Sequence, residues 1–400
     1  METVRLLLAL AAHSRWEVHH MDVKSAFLDD ELAEEVYVVQ PPGYSVTRSE
    51  GAVLKLKKAL YGLRQAPRAW YAKLDETLLQ LGFVRNPLEH AVYRCGDSES
   101  FLLVGVYVDD LIITGTDLAS IQDFKGQMHQ LFKMSDLGLL SYYLGIEVMQ
   151  KEGEITLSQR SYADKILEHA SMSECNSSST PMECRLKLKK EDGSKPFDST
   201  VYRSVIGCLR YLVHTRPDIA HVVGIVSRFM EAPRTSHWAE VKQILSDSDH
   251  AGDLVDRKST SGQVFFLGKN PVSWTSQKQK VVAISSCEAE YVAAAAATCQ
   301  GIWLSRLLVE LLGIEPEKFT LLVDNKSLIA LAKNPVFHDR SKHIDVKFHF
   351  IRDYVEERVL EIEHVGTQNQ LAAILTKALG RVHFFEICQK LAVMEGSRNT

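Results

Sequence analysis

Cysteine is scarce and unpatterned: seven in 400 residues, at 95, 175, 184, 208, 287, 299 and 388, with no CxxC pair. An odd, scattered set excludes a disulfide scaffold, gives no sign of a zinc site and points to a reducing compartment. Long hydrophobic runs are missing too. The longest, Leu6 to Ala12 and Tyr291 to Thr298, fall short of the roughly 18 residues needed to cross a bilayer, so no membrane span is expected. The N-terminus shows no basic region followed by an apolar stretch and a small-residue cleavage site, hence no signal peptide. An intracellular, cytoplasmic location is the expectation. No repeat and no low-complexity tract occurs. There is no excess of positive charge either: 46 Lys and Arg against 51 Asp and Glu leave a net charge of −5, which does not mark a nucleic-acid binder by global charge. What is present is ordinary globular composition, 46% hydrophobic and 24% charged. At about 150 residues per domain the length allows two to three folding units.

Charge is concentrated locally. Between Leu54 and Lys73 stand Lys55, Lys57, Lys58, Arg64, Arg68 and Lys73 with no acid, interleaved with Tyr61, Trp70 and Tyr71. Cations that neutralise phosphate beside rings that stack on bases fit a polynucleotide track; a solvated helix face with core aromatics fits equally well. The chain breaks its apolar periods at Glu174 to Ser199, which reads as a flexible linker, and again at the Pro-bearing turn Glu231 to Ser236. Strands and helices alternate, so an α+β layer structure is expected. Ser161 to Asp164, after a strand over 154–159, reads as a capping-box start to a helix.

The acids carry the chemistry. Phe101 to Val108 and Leu111 to Thr114 are β-rich runs separated by Asp109-Asp110, a hairpin with two acids at its bend. Asp-rich turns are common, yet adjacent carboxylates among Val, Leu and Ile are costly unless solvated or neutralised by a cation. Asp22 follows a second short strand. Carboxylates from two strands, brought together, hold two divalent metals about 4 Å apart, the arrangement of nucleotidyl transfer.

Three strings, HHMDVKSAFLDDELAEEVYVVQPPGY, LKKALYGLRQAPRAWY and VGVYVDDLIITG, closely resemble the reverse transcriptase of copia-type LTR retrotransposons. Four more, SDSDHAGDLVDRKSTSGQVFFLG, VSWTSQKQKVVAISSCEAEYVA, NPVFHDRSKHIDVKFHFIRD and HVGTQNQLAAILTKAL, resemble the ribonuclease H that follows it in the same Pol polyprotein. The resemblance implies a palm-type antiparallel sheet with helices, then a ribonuclease H-like α/β domain. It implies Mg²⁺ or Mn²⁺ at Asp22, Asp109 and Asp110, with Tyr107 in the polymerase hairpin and Asp110 in support. Phe27 matches the aromatic that selects deoxynucleotides, although read alone it is equally a core residue. Gly62 matches a backbone position near template and nucleotide, and Arg64 and Arg68, with Lys57 and Lys58 of the same run, are phosphate-contact candidates. In the second half Asp247, Glu290 and Asp324 match metal-binding acids. Glu288 lies close enough to be confused with Glu290, and Asp324 alone reads equally as a helix N-cap. The implied partners are an RNA template, a DNA primer, dNTPs, an RNA–DNA hybrid and the integrase and protease parts of the polyprotein, in cytoplasmic particles.

The implied division is palm with truncated fingers over 1–173, linker over 174–199, thumb-like connection helices over 200–245, ribonuclease H-like domain over 246–380 and C-terminal tail over 381–400. Three departures from the family pattern stand out. Ala373 occupies the place of a fourth acid, and on that ground Ala373→Asp is expected to raise hybrid cleavage. The helix His237 to Leu245 runs straight into Asp247 without the strand the family places before it. The chain opens inside the family's polymerase, where the fingers would precede it. A decayed relic with residual nucleic-acid binding is therefore the alternative to an active enzyme.

Overall fold

The computed structural model describes residues 1–28, 34–41, 43, 52–97, 99–172, 180–183, 186, 188–246, 259–283, 285–315, 317–333 and 350–393. Leu6, Leu7, Leu8 and Leu10 leave no polar side on the middle of helix α1 (Glu2–Ser14), and all four are buried. A helix apolar around its circumference needs neighbours on every side. It finds a sheet on one side and a later hairpin on the other.

That sheet contains β1 (Val18–Val23) and, after the small exposed ribbon β2 (Tyr37–Val39) and β3 (Val53–Lys55), helix α2 (Ala66–Gln80) leads to its other members. These are β4 (Val84–Arg85), β5 (Val92–Gly96), β6 (Phe101–Tyr107), β7 (Asp110–Gly115) and, beyond helix α3 (Leu118–Leu131), β8 (Met134–Leu139). The order is β4-β5-β6-β7-β1-β8, and each neighbouring pair is antiparallel. Both faces are covered, which is why β6 reads as an unbroken apolar run rather than an alternation. Trp70, Leu74 and Leu78 of α2 and Ile121, Phe124 and Met128 of α3 pack on Val104, Leu111 and Ile113. On the opposite face Leu6, Leu7 and Leu10 of α1 pack near Phe101 and Leu103. A Cβ at Gly105 would sit 3.1 Å from Leu7, so glycine there lets α1 approach the sheet.

A second, three-stranded sheet, β9 (Tyr142–Tyr143), β10 (Ile146–Lys151) and β11 (Glu154–Ser158), has the order β11-β10-β9. Gln150 ties it to β1: its side-chain oxygen accepts from Val18 N at 3.0 Å and its amide donates to Val18 O at 2.9 Å. Helix α4 (Arg160–His169) starts without a side-chain cap of its own. The capping box expected over 161–164 is corrected here, because the Ser161 amide and hydroxyl both donate to Glu147 of β10 instead.

Helices α5 (Ser199–Leu212), α6 (Ala220–Val226) and α7 (Thr235–Ser246) share one apolar cluster. The stretch expected to be a flexible linker over 174–199 is pinned where it is described. Met182 and Leu188 are buried in that cluster, and Phe197 stacks on Trp238 with centroids 4.6 Å apart. The physical reason lies in apolar residues scattered among its lysines, which find a core once the helices assemble.

The remaining elements are β12 (Thr260–Leu267), β13 (Asn270–Lys278), the 27-residue α8 (Ser286–Leu312), β14 (Phe319–Val323), α9 (Lys326–Lys333), α10 (Phe350–Glu356), β15 (Leu360–His364) and α11 (Arg381–Lys390). β12 and β13 form an antiparallel hairpin and β14 and β15 a parallel pair; among the described residues these stay two separate sheets. α8 is long and apolar enough in composition to cross a membrane, but it bridges two cores. Leu304, Leu307 and Leu311 pack with α1, and Tyr291, Ala294 and Ala295 pack with β14 and β15. Arg5 fastens α1 to this half: its guanidinium donates to Val272 O at 2.9 Å and to His214 O at 3.0 Å and lies over the Trp274 ring. The tail expected over 381–400 is corrected by α11, whose Phe384, Ile387 and Cys388 are buried against Trp274 and the turn Leu371–Leu375.

Candidate active site

β6 and β7 are joined by only two residues, Val108 and Asp109, with Tyr107 paired to Asp110. A two-residue hairpin needs backbone of the opposite hand in its loop, and Val108 supplies it at φ 57°. For a β-branched residue this is an outlier that costs roughly 1–3 kcal/mol. Two hydrogen bonds hold it there. The Trp70 indole N–H donates to Val108 O at 2.6 Å, and Val23 N donates to Asp109 O at 2.9 Å. Trp70 is fully buried in α2 and Val23 ends β1, so helix and strand grip the bend from two directions.

The register brings the acids together. Asp22 lies directly opposite Asp110 across the β1–β7 ladder, so the two side chains share a face of the sheet. Asp110 is held by His20, Nε2 to Oδ1 2.8 Å, from two residues earlier on that face. The His20 ring in turn meets Tyr143 edge-on. Asp109 is half-buried; burial, and then the charges of Asp110 and Asp22, raise its carboxyl above the ordinary range. Among the described residues no three His, Cys, Asp or Glu side chains close into a metal cage, and neither Asp22 nor Asp109 forms an ion pair. The donor set nevertheless suits a divalent ion. Two carboxylates without a basic partner offer hard oxygen ligands and repel until a cation neutralises them.

The other expected residues fall around this point. Phe27 projects from the short turn Ala26–Leu28 just after β1, and its ring contacts that of Tyr61 at 4.9 Å between centroids. Gly62 adopts φ 93° in the turn that precedes α2. Lys57, Lys58, Arg64 and Arg68 are exposed along the same segment, and Tyr107 is exposed at the end of β6. His20 is the site neighbour that sequence reasoning passed over, whereas Tyr61, read there as one ring of the basic run, stands beside Phe27. The signal for His20 was its two-residue spacing from Asp22 on one strand face.

In the second half Asp247 lies outside the described residues. Glu290, in α8, and Asp324, just after β14, are brought within electrostatic reach of each other. Burial and then the Asp324 charge raise the Glu290 carboxyl, while Asn325 and Lys377 oppose the shift. Glu288 sits elsewhere on the helix, its N–H donating to the Ser285 cap. Asp324 is not the cap of α9, since Asn325 Oδ1 accepts from Ser327 N at 2.9 Å. Ala373 sits in the turn Leu371–Leu375, which reaches both sheets: the Gln370 amide donates to Leu322 O, and Ser276 donates to Leu375 O. It is only 4% exposed, in an apolar cluster with Trp274, Leu379, Phe384 and Ile387.

Comparison with known proteins bears on both halves. The family described as reverse transcriptase (RNA-dependent DNA polymerase) matches residues 1–184. The retrovirus-related Pol polyprotein from transposon TNT 1-94 of Nicotiana tabacum is 38% identical over 430 residues, covering 99% of this chain and 32% of its own. That from transposon RE1 of Arabidopsis thaliana is 38% identical over 416 residues, covering 98% of this chain and 28% of its own. The putative transposon Ty5-1 protein of Saccharomyces cerevisiae is 33% identical over 302 residues, covering 68% of this chain and 98% of its own. The chain thus spans about a third of the length of the Pol polyproteins it matches, and the tobacco alignment, longer than the chain itself, leaves part of that protein without a counterpart here.

Proposed function

The chain belongs to the reverse transcriptase family of copia-type retrotransposon Pol polyproteins, and from that membership we propose that residues 1–173 act in RNA-directed DNA synthesis at the Val108–Asp109 hairpin. The observation that carries this reading is the pairing of Asp22 with Asp110 beside Asp109, in a bend strained at Val108 and anchored through the carbonyls of Val108 and Asp109. Asp22 and Asp109 would hold Mg²⁺ or Mn²⁺, which supplies charge neutralisation and an activated hydroxyl for nucleotidyl transfer. His20 fixes Asp110 so that its charge stays beside theirs. Phe27 walls the approach to these acids as a steric filter on the sugar. The exposed Lys57, Lys58, Arg64 and Arg68 give an electrostatic track for template and primer phosphates.

For residues after 259 we infer a ribonuclease H-like part acting on an RNA–DNA hybrid, supported by the meeting of Glu290 and Asp324. The burial of Ala373 in an apolar cluster favours a second reading for this part alone, that hydrolysis has been lost while the fold persists. Primer extension by the full chain on an RNA template with dNTPs and Mg²⁺ or Mn²⁺ tests the polymerase assignment. Incorporation abolished by Asp109→Asn is expected; incorporation that survives this change refutes it.

A further inference from the structure

α1 serves both halves of the chain through different faces. Leu8 and Ala11 pack with Val18 of β1 and Ile112 of β7, the two strands that carry Asp22 and Asp110. Leu6, Leu7 and Leu10 instead share a cluster with Val272 of β13 and Leu307 of α8. Polar bonds close the same contact. Glu2 accepts from the Ser273 hydroxyl and from the Gln300 amide, while Arg5 donates to Val272 O. From β5 of the first sheet Arg94 Nε donates to Leu311 O at 3.2 Å, at the C-terminal end of α8, where a cation suits the helix dipole.

The joint from α1 to β1 is short and held on both sides. Arg15 turns the chain at φ 58°, Trp16 N donates back to Ala11 O at 2.8 Å, and the Thr114 hydroxyl of β7 donates to Glu17 O at 2.9 Å. Three residues therefore separate the helix gripped by the second half from the strand that bears His20 and Asp22. A shift of α1 moves β1 with it, because close-packed interiors transmit strain rather than absorb it.

We propose that the β12–β13 hairpin and α8 act as a positioning partner for the polymerase site: docked on α1, they hold β1 and its Asp22 in register with Asp110. This rests on the polymerase reading above, and it gives the second half a task in DNA synthesis that needs no hydrolysis.

The test compares Leu307→Ala with Leu328→Ala in the full chain. Both leucines are at most 1% exposed, so the two changes leave similar cavities. Leu328 belongs to the cluster of β14 and β15, which holds no described residue of α1. The readouts are amide hydrogen exchange over residues 18–23 and primer extension on an RNA template with Mg²⁺ or Mn²⁺. Leu307→Ala is expected to speed exchange in β1 about tenfold. It should also lower kcat about tenfold while the KM for template–primer holds within about twofold, because a shifted Asp22 harms the transition state and not the duplex contacts. Leu307→Met, which keeps the volume, should restore both values, and Leu328→Ala should change neither. If Leu307→Ala does not fold, Leu307→Val against Leu328→Val carries the same comparison. Unchanged β1 exchange in Leu307→Ala, an equal effect of Leu328→Ala on β1, or faster exchange with kcat intact overturns the proposal. A wild-type chain that extends no primer with either metal overturns the polymerase reading, and β1 exchange then decides the docking by itself.

Discussion

Ala373→Asp restores the letter that the family pattern has at this position, and the structure reverses what the sequence leads one to expect of it. The methyl group of Ala373 is 4% exposed among Trp274, Ile374, Leu375, Leu379, Phe384 and Ile387. A carboxyl placed there has apolar neighbours, and its pKa rises because burial penalises the charged form. A rise of about 3 units, within the range for buried acids, is worth about 4 kcal/mol at pH 7. The sign follows from proton binding: the folded state holds the proton where the unfolded state has released it, so the penalty is absent below about pH 4 and grows as pH rises toward 7. Ala373→Asn has the same size and polarity but does not titrate, so its cost is flat with pH. Urea midpoints read from tryptophan fluorescence at pH 4.5, 6 and 7.5, with Trp274 inside the affected cluster, separate the two variants. The expected result is a gap between Asp and Asn that widens by more than 2 kcal/mol across that range, with no gain in hybrid cleavage. Equal midpoints for the two variants at every pH, or new hydrolysis from a stable Ala373→Asp protein, refute the reasoning, because either places residue 373 beside Glu290 and Asp324 instead of in the apolar cluster.

Val108→Asn should stabilise the chain by about 1 kcal/mol, since Asn tolerates positive φ and the 43% exposed valine buries little; a lower urea midpoint would show that the side chain contributes more than its strain costs. Trp70→Phe strips the donor from Val108 O and should lower stability by about 1–3 kcal/mol while reducing primer extension, checked by unfolding and activity in parallel. His221, nine-tenths buried, is pushed down to about 4 by burial, chiefly, and by Arg228. Its unfolded form takes up a proton first, so about 3 kcal/mol of stability should drain away as pH falls from 6.5 toward 4. A His221→Gln protein that loses as much over that interval would assign the acid sensitivity elsewhere. Glu240 runs the other way: burial and Glu183 push it up to about 7, so its stabilising contribution fades as pH climbs from 4.5 to 7, and Glu240→Gln should unfold later than wild type at pH 8. Neutralising Lys57, Lys58 and Arg64 together should weaken binding to a primed template and flatten its salt dependence; an unchanged slope relocates the track.

The two halves differ in how much their sequence disclosed, and the cause is physical. The hairpin was legible because its signals are local: two apolar runs with two acids between them. Register then did the long-range work, since the apolar sets of β1 and β7 bury correctly in only one alignment and that alignment sets Asp22 opposite Asp110. Local letters were silent about α1. Its polymerase-like sequence gives no hint that Arg5 reaches 267 residues along the chain to Val272, because the attraction is the sum of a carbonyl, the Trp274 face and the burial of a leucine-rich surface contributed by both halves. The same limit misled the reading of Ala373. A missing carboxylate looks like a simple lesion in one dimension. In three dimensions the surrounding turn packs its methyl group among aromatic and aliphatic neighbours, and a Cβ at Gly262 of β12 would fall 2.7 Å from Leu375, so glycine there lets the strand lie against the turn. Restoring a letter therefore does not restore a ligand, because the cluster around residue 373 is apolar and a carboxylate placed in it is costly.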